Sequence, residues 1–395
     1  MDKNDQEPKE QPDQPEPAKE FVRVLHPKLV FSWGCNAYGQ LGRPGTQKPC
    51  SLPEIVDFTE EIIPGSIKQI AIGLGNTYIL MDSGELYGNG LNNIRQLGNA
   101  EFLGHEFKKI ENVDELVIDN IAVLWDSIYA VTRSGNVIGW GSNAYGQLGL
   151  DPGLVFSSRT PVVIWQDSKV VQVGAGLRHC VMLMKKGRVL TCGDSKKGQL
   201  GRPWTEDFRP QEVKLLRNVK QIAVGQYHNI ALVKIQDDYK VYSWGLNAQG
   251  QCGVDPSSNP IVSIPMEIKF SDPIMKASSL RCGWSHSGLL NSDGQLYLWG
   301  DNRYGQLGDD QSASYTPKRP ATLALVKDFD LGFGHTVVAL AETGMLLAWG
   351  DNAYGCCGIG DTVPQVNMPV KTCVGLKRVA VRIFAGYKQN FALTV

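Results

Sequence analysis

The chain has no C-x-x-C pair, no apolar run near the ~20 residues that a membrane-spanning helix needs, and a net charge of only −1. Each shortage excludes something. Without paired cysteines there is no zinc-ribbon or dithiol site of the usual spacing. The nine cysteines are scattered, and Cys192, Cys252, Cys356 and Cys357 stand where other repeats carry Trp or Leu. They read as small buried hydrophobes in a reducing compartment. Without an excess of positive charge, no global field draws the chain to nucleic acid or to an anionic membrane. The first residues are charged and hold no apolar stretch, so no secretory leader is expected, and the expected location is the cytoplasm, with or without the nucleus. No G-x-x-x-x-G-K-[ST] phosphate loop, H-E-x-x-H or G-x-S-x-G occurs, and Gly174-Ala175-Gly176 begins a dinucleotide fingerprint that lacks its third glycine. Covalent catalysis, a cofactor and a metal are therefore not expected.

What the chain does have is a turn repeated seven times. Its best copies read W-G-x-N-x-x-G-Q-L-G and begin at Trp33, Trp140, Trp244, Trp299 and Trp349; weaker copies sit at Asn89 and Cys192. The glycines that follow, Gly34, Gly90, Gly141, Gly193, Gly245, Gly300 and Gly350, are separated by 56, 51, 52, 52, 55 and 50 residues. Between copies the pattern is strand, strand, tight turn, strand, long turn, strand. In one unit these are Lys169–Gly174, His179–Met184, the Lys185-Lys186-Gly187 turn, Arg188–Cys192 and Arg209–Leu215. Four short antiparallel strands per period of ~50 residues describe a propeller blade, and a unit this small must stack on its neighbours to bury a core. The fold class is all-β: a seven-bladed β-propeller.

The ends supply a closure. Arg382–Val395 holds the first two strands of a repeat, and Lys28–Gly34 the third strand and turn of one. The N-terminal and C-terminal strands are expected to pair in one blade, which removes two open sheet edges. Residues 1–20 have seven acidic residues, three basic ones and four prolines, a net charge of −4, and nothing large and apolar. That stretch reads as a disordered acidic tail before a propeller spanning 21–395.

The recurring residues are structural in this reading. The tryptophans pack between blades, the glycines accept positive φ, and the Asn and Gln side chains satisfy turn backbone. Repeat two departs from the pattern with Asn89 for Trp and Arg95 for the second glycine, so its turn is expected to be rebuilt. His179, His228, His286 and His335 recur in register about one blade apart, too far to converge on a metal, with Asn76, Asp126 and Gln389 in the equivalent places.

Together, W-G-x-N-x-x-G-Q-L-G and G-x-x-H resemble the repeats of the regulator of chromosome condensation family over residues 28–395. Three turns, Leu124-Trp125-Asp126, Gly176-Leu177-Arg178-His179 and Gly283-Trp284-Ser285-His286, look most like its secretion-regulating guanine nucleotide exchange factor branch. The resemblance implies a binding face made of the G-x-x-H turns, a small GTPase or trafficking complex as partner, and at most nucleotide-exchange activity. On that face the candidate partner-binding residues are Trp125, Asp126, Arg178, Tyr227, Trp284, Phe333, Tyr387 and Lys388; aromatics with Arg are enriched at binding hot spots. Two alternatives stand beside this one. One is a scaffold for a small metal-carrying protein of diphthamide or transfer-RNA modification. The other, a chromatin-associated exchange factor for Ran, is disfavoured: the family's acidic residues between Gly and His find no match in the turn pairs, and an acidic tail does not suit DNA. A closed ring leaves no edge that demands a second copy, so a monomer is expected.

Overall fold

The computed structural model describes residues 28–44, 49–93, 96–97, 105–113, 115–167, 169–236, 238–271, 277–360, 363–373 and 379–395. The acidic tail and Arg95 lie outside these residues. Seven four-stranded antiparallel sheets form the seven blades of a propeller. From the axis outward, blade 1 runs Ile67–Ile72, Asn76–Met81, Leu86–Gly90 and Lys108–Lys109. Blades 2 to 6 begin with the innermost strands Ile118–Leu124, Val170–Ala175, Val219–Val224, Ala277–Cys282 and Val326–Leu331. Blade 7 is composite: Ala380–Ala385 and Gln389–Thr394 are followed outward by Leu29–Gly34 and Cys50–Ile55 from the other end of the chain. Leu29 pairs with Thr394 and Gly34 with Gln389, which is the expected closure. The dissected unit is blade 3. Its second strand falls on His179–Met184 as read, while its outermost strand shrinks to Gln211–Glu212.

One arrangement locks each blade to the next. The glutamine of G-Q-L-G turns its backbone carbonyl into the inter-blade seam. Gln199 O accepts from the Trp244 indole (3.0 Å) and from Asn229 Nδ2 (3.0 Å), both of the following blade. Gln251 O takes Trp299 and Ser287, Gln306 O takes Trp349 and Thr336, and Cys356 O takes Trp33 and Asn390. All five tryptophans are at most 1% exposed. Where Trp is replaced, Cys192 Sγ lies 3.5 Å from Gln147 O, and Asn89 donates to Gly39 O and His105 O.

The histidines complete the lock. His179 Nε2 donates to Asn229 Oδ1 (2.8 Å), His335 Nε2 donates to Asn390 Oδ1 (2.7 Å), and His228 pairs with Ser287 Oγ (2.9 Å). His286 meets Thr336 more loosely, at 3.4 Å. Each ring lies flat on the glycine of its own G-x-x-H turn; a Cβ on Gly176 would sit 1.9 Å from the His179 ring. Glycine and histidine therefore recur together because one makes room for the other. The four rings sit on separate seams, bonded to protein.

The innermost strands turn an open backbone edge toward the axis, and side chains from the neighbouring blade satisfy it. Gln69, Gln172 and Gln221 each bond the N–H and C=O of one residue on the next blade: Ile121, Ile222 and Leu280. Asn120 accepts from Val173 N–H. At the perimeter the problem is solved differently. Five outermost strands contain a proline, Pro53, Pro161, Pro265, Pro317 or Pro369; blade 3 has Pro210 just before its strand and blade 1 has two lysines. Proline has no N–H to offer a foreign strand, and lysine resists edge pairing.

Two predictions follow from this packing. Ending the chain at Ala385 removes Gln389–Thr394, the partner of Leu29–Gly34, so thermal unfolding should shift to lower temperature as one cooperative loss across all blades; an unchanged Tm would refute the closure. The second concerns acid. Burial holds His179 at about 4 and His228 and His286 at about 3, and lowers His335 as well. In the unfolded chain these rings take up protons near pH ~6.5, so their contribution is intact above that pH and lost as pH falls, at up to ~1.4 kcal/mol per pH unit per ring. Burial raises the Asp328 carboxyl, and raises Asp330 to about 6, which pulls the other way between about pH 4 and 6. The test is therefore differential: His228→Gln should show a shallower loss of unfolding free energy from pH 6.5 to 4.5 than the wild type.

Candidate functional site

The turns between the innermost and second strands gather around one mouth of the ring and are hydrogen-bonded to each other in sequence. Leu177 N–H donates to Gln226 O (3.0 Å), Gln226 to Trp284 O (3.1 Å), Trp284 to Gly332 O (3.1 Å) and Phe333 to Gly386 O (3.1 Å). This chain of bonds joins the turns of blades 3 to 7 at the axis.

The first variable residue is aromatic in four of the seven turns, and the four rings meet there. Trp284 lies 5.3 Å from Phe333, 5.5 Å from Tyr387 and 5.8 Å from Trp125, centroid to centroid; Phe333 and Tyr387 are 4.9 Å apart, and Trp125 stands edge-on to Tyr387 at 6.1 Å. The rings come from blades 2, 5, 6 and 7, so they converge across the axis and form a lid. Beneath it is a cavity of about 120 Å3 whose walls include residues at the ends of the innermost strands: Ile72, Val123, Ala175, Val224, Leu331 and Ala385. The rings are neither core nor free surface. Trp284, Phe333 and Tyr387 are half-buried, and Trp125 is 37% exposed.

Two cations flank the lid. Lys388 Nζ sits 4.1 Å over the Tyr354 ring, 5.4 Å over Phe333 and 5.6 Å over Tyr387, with Asp351 at 3.9 Å. Arg178 stacks 4.1 Å over Tyr145 and acts electrostatically on both Asp126 and Tyr227. Burial raises the Asp126 carboxyl, offset by hydrogen bonds from Ser127 and Ser142 and then by Arg178. Burial likewise raises the Tyr227 phenol. The candidate residues thus separate into a lid group, Trp125, Trp284, Phe333, Tyr387 and Lys388, and a second group of Arg178, Asp126 and Tyr227.

Blade 2 corrects one expectation. Ser127 pairs with Gly141, just as His179 pairs with Gly193 and His335 with Gly350. Ser127, not Asp126, stands in the histidine place, and Leu124 in that of the glycine. Asp126 is the second variable residue of its turn, the position held by Arg178, Tyr227 and Lys388 in blades 3, 4 and 7. An acidic residue between the Gly and His places is therefore present after all. The turn is also tighter than the others: Leu124 pairs directly with Ser127, and Trp125 takes φ +57°, a left-handed conformation that bulky residues avoid. Without the two marker residues, the alignment by motif slips by one.

Sequence reasoning also missed Tyr145, Tyr304 and Tyr354. They occupy one position of the W-G-x-N-x-x-G turn, and each packs on the following blade: Tyr145 under Arg178, Tyr354 under Lys388, and Tyr304 6.0 Å from Phe333. Their shared place in the repeat was the available signal. Among the described residues no group of three or more His, Cys, Asp or Glu side chains is arranged to hold a metal.

The RCC1-like domain pattern matches residues 29–392. The chain belongs to the RCC1-like domain family. It is similar to the ultraviolet-B receptor UVR8 of Arabidopsis thaliana, 32% identical over 72% of this chain and 63% of that protein. It is also similar to the secretion-regulating guanine nucleotide exchange factor of Bos taurus, 30% identical over 71% of this chain and 61% of that one. The chain thus spans about three fifths of the length of these curated relatives. Its fold superposes on that of Prp20p from Saccharomyces cerevisiae, a protein studied for binding to Gsp1p and histones, with a TM-score of 0.83 over 94% of this chain and 92% of the other at 24% identity. No helix among the described residues is long and apolar enough to cross a membrane.

The lid makes a direct prediction. A left-handed residue other than glycine costs about 1–2 kcal/mol. Trp125→Gly and Trp125→Ala both lose the ring contacts, but only glycine relieves the backbone. Urea unfolding should find Trp125→Gly more stable than Trp125→Ala by about 1 kcal/mol.

Proposed function

We propose that the chain is a protein-binding propeller that regulates a small GTPase of secretion or trafficking as an exchange factor does, through the face carrying the aromatic lid. The observation that carries this reading is Asp126. It stands in the turn position where the family resemblance calls for an acidic residue, half-buried, next to a face of aromatics and cations. The relation to the secretion-regulating exchange factor supports the same reading. Nine cysteines, all free thiols, suit a reducing compartment, and the cytoplasm is the proposed place of action.

An exchange factor performs no covalent chemistry. It binds the nucleotide-free GTPase more tightly than the loaded one, and by linkage the nucleotide is then held less tightly. A surface that does this needs a carboxylate to compete for the cations that hold phosphate, and rigid apolar groups to wedge a mobile loop. Asp126 meets the first need. Trp125 and Trp284, braced by Phe333 and Tyr387, meet the second. With Asp126 in the turn, the objection to a Ran-type exchange mechanism at this position falls away.

The test has two steps. Affinity capture from cells compares wild type with Trp125→Ala/Arg178→Ala/Trp284→Ala, and release of labelled GDP is then measured on the captured GTPase and on Gsp1p. Substoichiometric wild type should accelerate release, and Asp126→Asn should slow it by about tenfold, roughly 1.4 kcal/mol of lost stabilisation. Lys185→Ala/Lys186→Ala, in a hairpin at the opposite face, should leave the rate unchanged. A stable complex with unaltered release would identify a scaffold, and loss of a GTP-insensitive small metal protein from the mutant would name its partner.

A further inference from the structure

Around the axis, four inter-blade junctions are closed by the neutral amides Gln69, Asn120, Gln172 and Gln221. The other three carry charge. At the junction of blades 5 and 6 the equivalent residue is Ser279, whose buried hydroxyl finds no partner. Two residues on, Arg281 reaches across instead: its Nε is 3.6 Å from an Asp330 carboxylate oxygen, and its Nη1 donates to Leu280 O (3.0 Å). At the next junction Asp328 and Asp330 accept the N–H groups of Ile383 (2.8 Å) and Ala385 (2.9 Å). At the last, Arg382 Nη1 donates to Lys68 O. These groups line a central cavity of about 670 Å3, together with Lys68, Lys327 and Asp119. Lys68 is paired with Asp119 at 2.6 Å.

We propose that this cavity is a binding site for a small phosphate-class anion, gripped by Arg281 and Arg382 and admitted at the end opposite the aromatic lid. The volume is that of a small-molecule site, for which ~300–1,000 Å3 is usual. The lid crowds one end of the channel, which leaves the opposite end as the wider way in. Lys68 and Lys327 are second in their innermost strands, and those strands run toward the lid, so both lysines stand at the open end. Each arginine is held by a backbone carbonyl, and a guanidinium has five N–H donors, so both keep donors for a ligand.

The balance of charge favours an anion over a cation. Asp328 commits one oxygen to the Ile383 N–H, and Asp330 commits both, to the N–H groups of Ala385 and Leu331, so part of the negative charge is already taken up by backbone. Burial lowers the Arg382 guanidinium, Asp328 works against that shift, and Arg281 adds to it. The lining carries four cations, Lys68, Arg281, Lys327 and Arg382, against three carboxylates, Asp119, Asp328 and Asp330. The apolar space under the lid, at about 120 Å3, is too small for an apolar ligand of ordinary size.

The test is calorimetric titration of the full chain with pyrophosphate at low ionic strength. Wild type and Lys185→Gln/Lys186→Gln, altered on the outer surface at the open end, should bind alike. Arg281→Gln/Arg382→Gln should bind at least about tenfold more weakly, the cost of a lost charge-assisted contact. Should that pair of changes unfold the ring, Lys327→Gln at the entrance serves in its place and should weaken binding about threefold by the loss of one nearby charge. No binding by wild type, equal binding by the variants, or loss of binding in the Lys185/Lys186 control would each overturn the proposal.

Discussion

The propeller rests on a backbone carbonyl. In each fully formed seam, one main-chain oxygen of the G-Q-L-G turn accepts two hydrogen bonds from the next blade, one from a buried indole and one from the residue beside the histidine position. A buried carbonyl has two lone pairs, and leaving the oxygen with no partner costs about 1–3 kcal/mol. That requirement fixes how far each blade turns relative to its neighbour. Repeated around the ring it fixes the diameter of the axis, and with it everything the axis holds: the inner belt of amides, the cluster of charged groups and the converging aromatic rings.

The site inherits its precision from that frame. The lid rings are not locked by a core of their own. The turns of Trp284, Phe333 and Tyr387 are hydrogen-bonded one to the next, and those of Trp284 and Phe333 are backed by His286 and His335 on the seams between blades. Asp126 follows Trp125 on its turn, and Arg178 stands on the turn of the next blade. A half-buried carboxyl near a guanidinium, beside exposed rings that are rigid in themselves, is a surface that loses little entropy when a partner arrives.

Much of this was legible in the sequence, because the repeat states its own grammar. The glycines of the W-G turns do take positive φ, from 93° to 115°. The asparagines do cap the turns, with Asn143 Oδ1 accepting from Leu148 N–H. What could not be read depended on contacts that leave no fixed letter. Blade 2 has neither marker of its turn, so Asp126 was placed one residue out of register. Gln69, Asn120, Gln172 and Gln221 look like ordinary polar residues of short strands, and their service to the neighbouring blade appears only once the ring is closed. Whether the aromatics pointed in or out was equally invisible, and the answer is that they point at one another.

The prolines of the outermost strands have a consequence for how this molecule meets others. A wheel whose rim is blunted by prolines and lysines resists being extended sideways into a fibre or joined edge to edge. That leaves the hub, with two openings of unlike character: one crowded by aromatic rings, the other leading to a charged well. Direction, for a partner, is therefore built into the rim rather than into either opening.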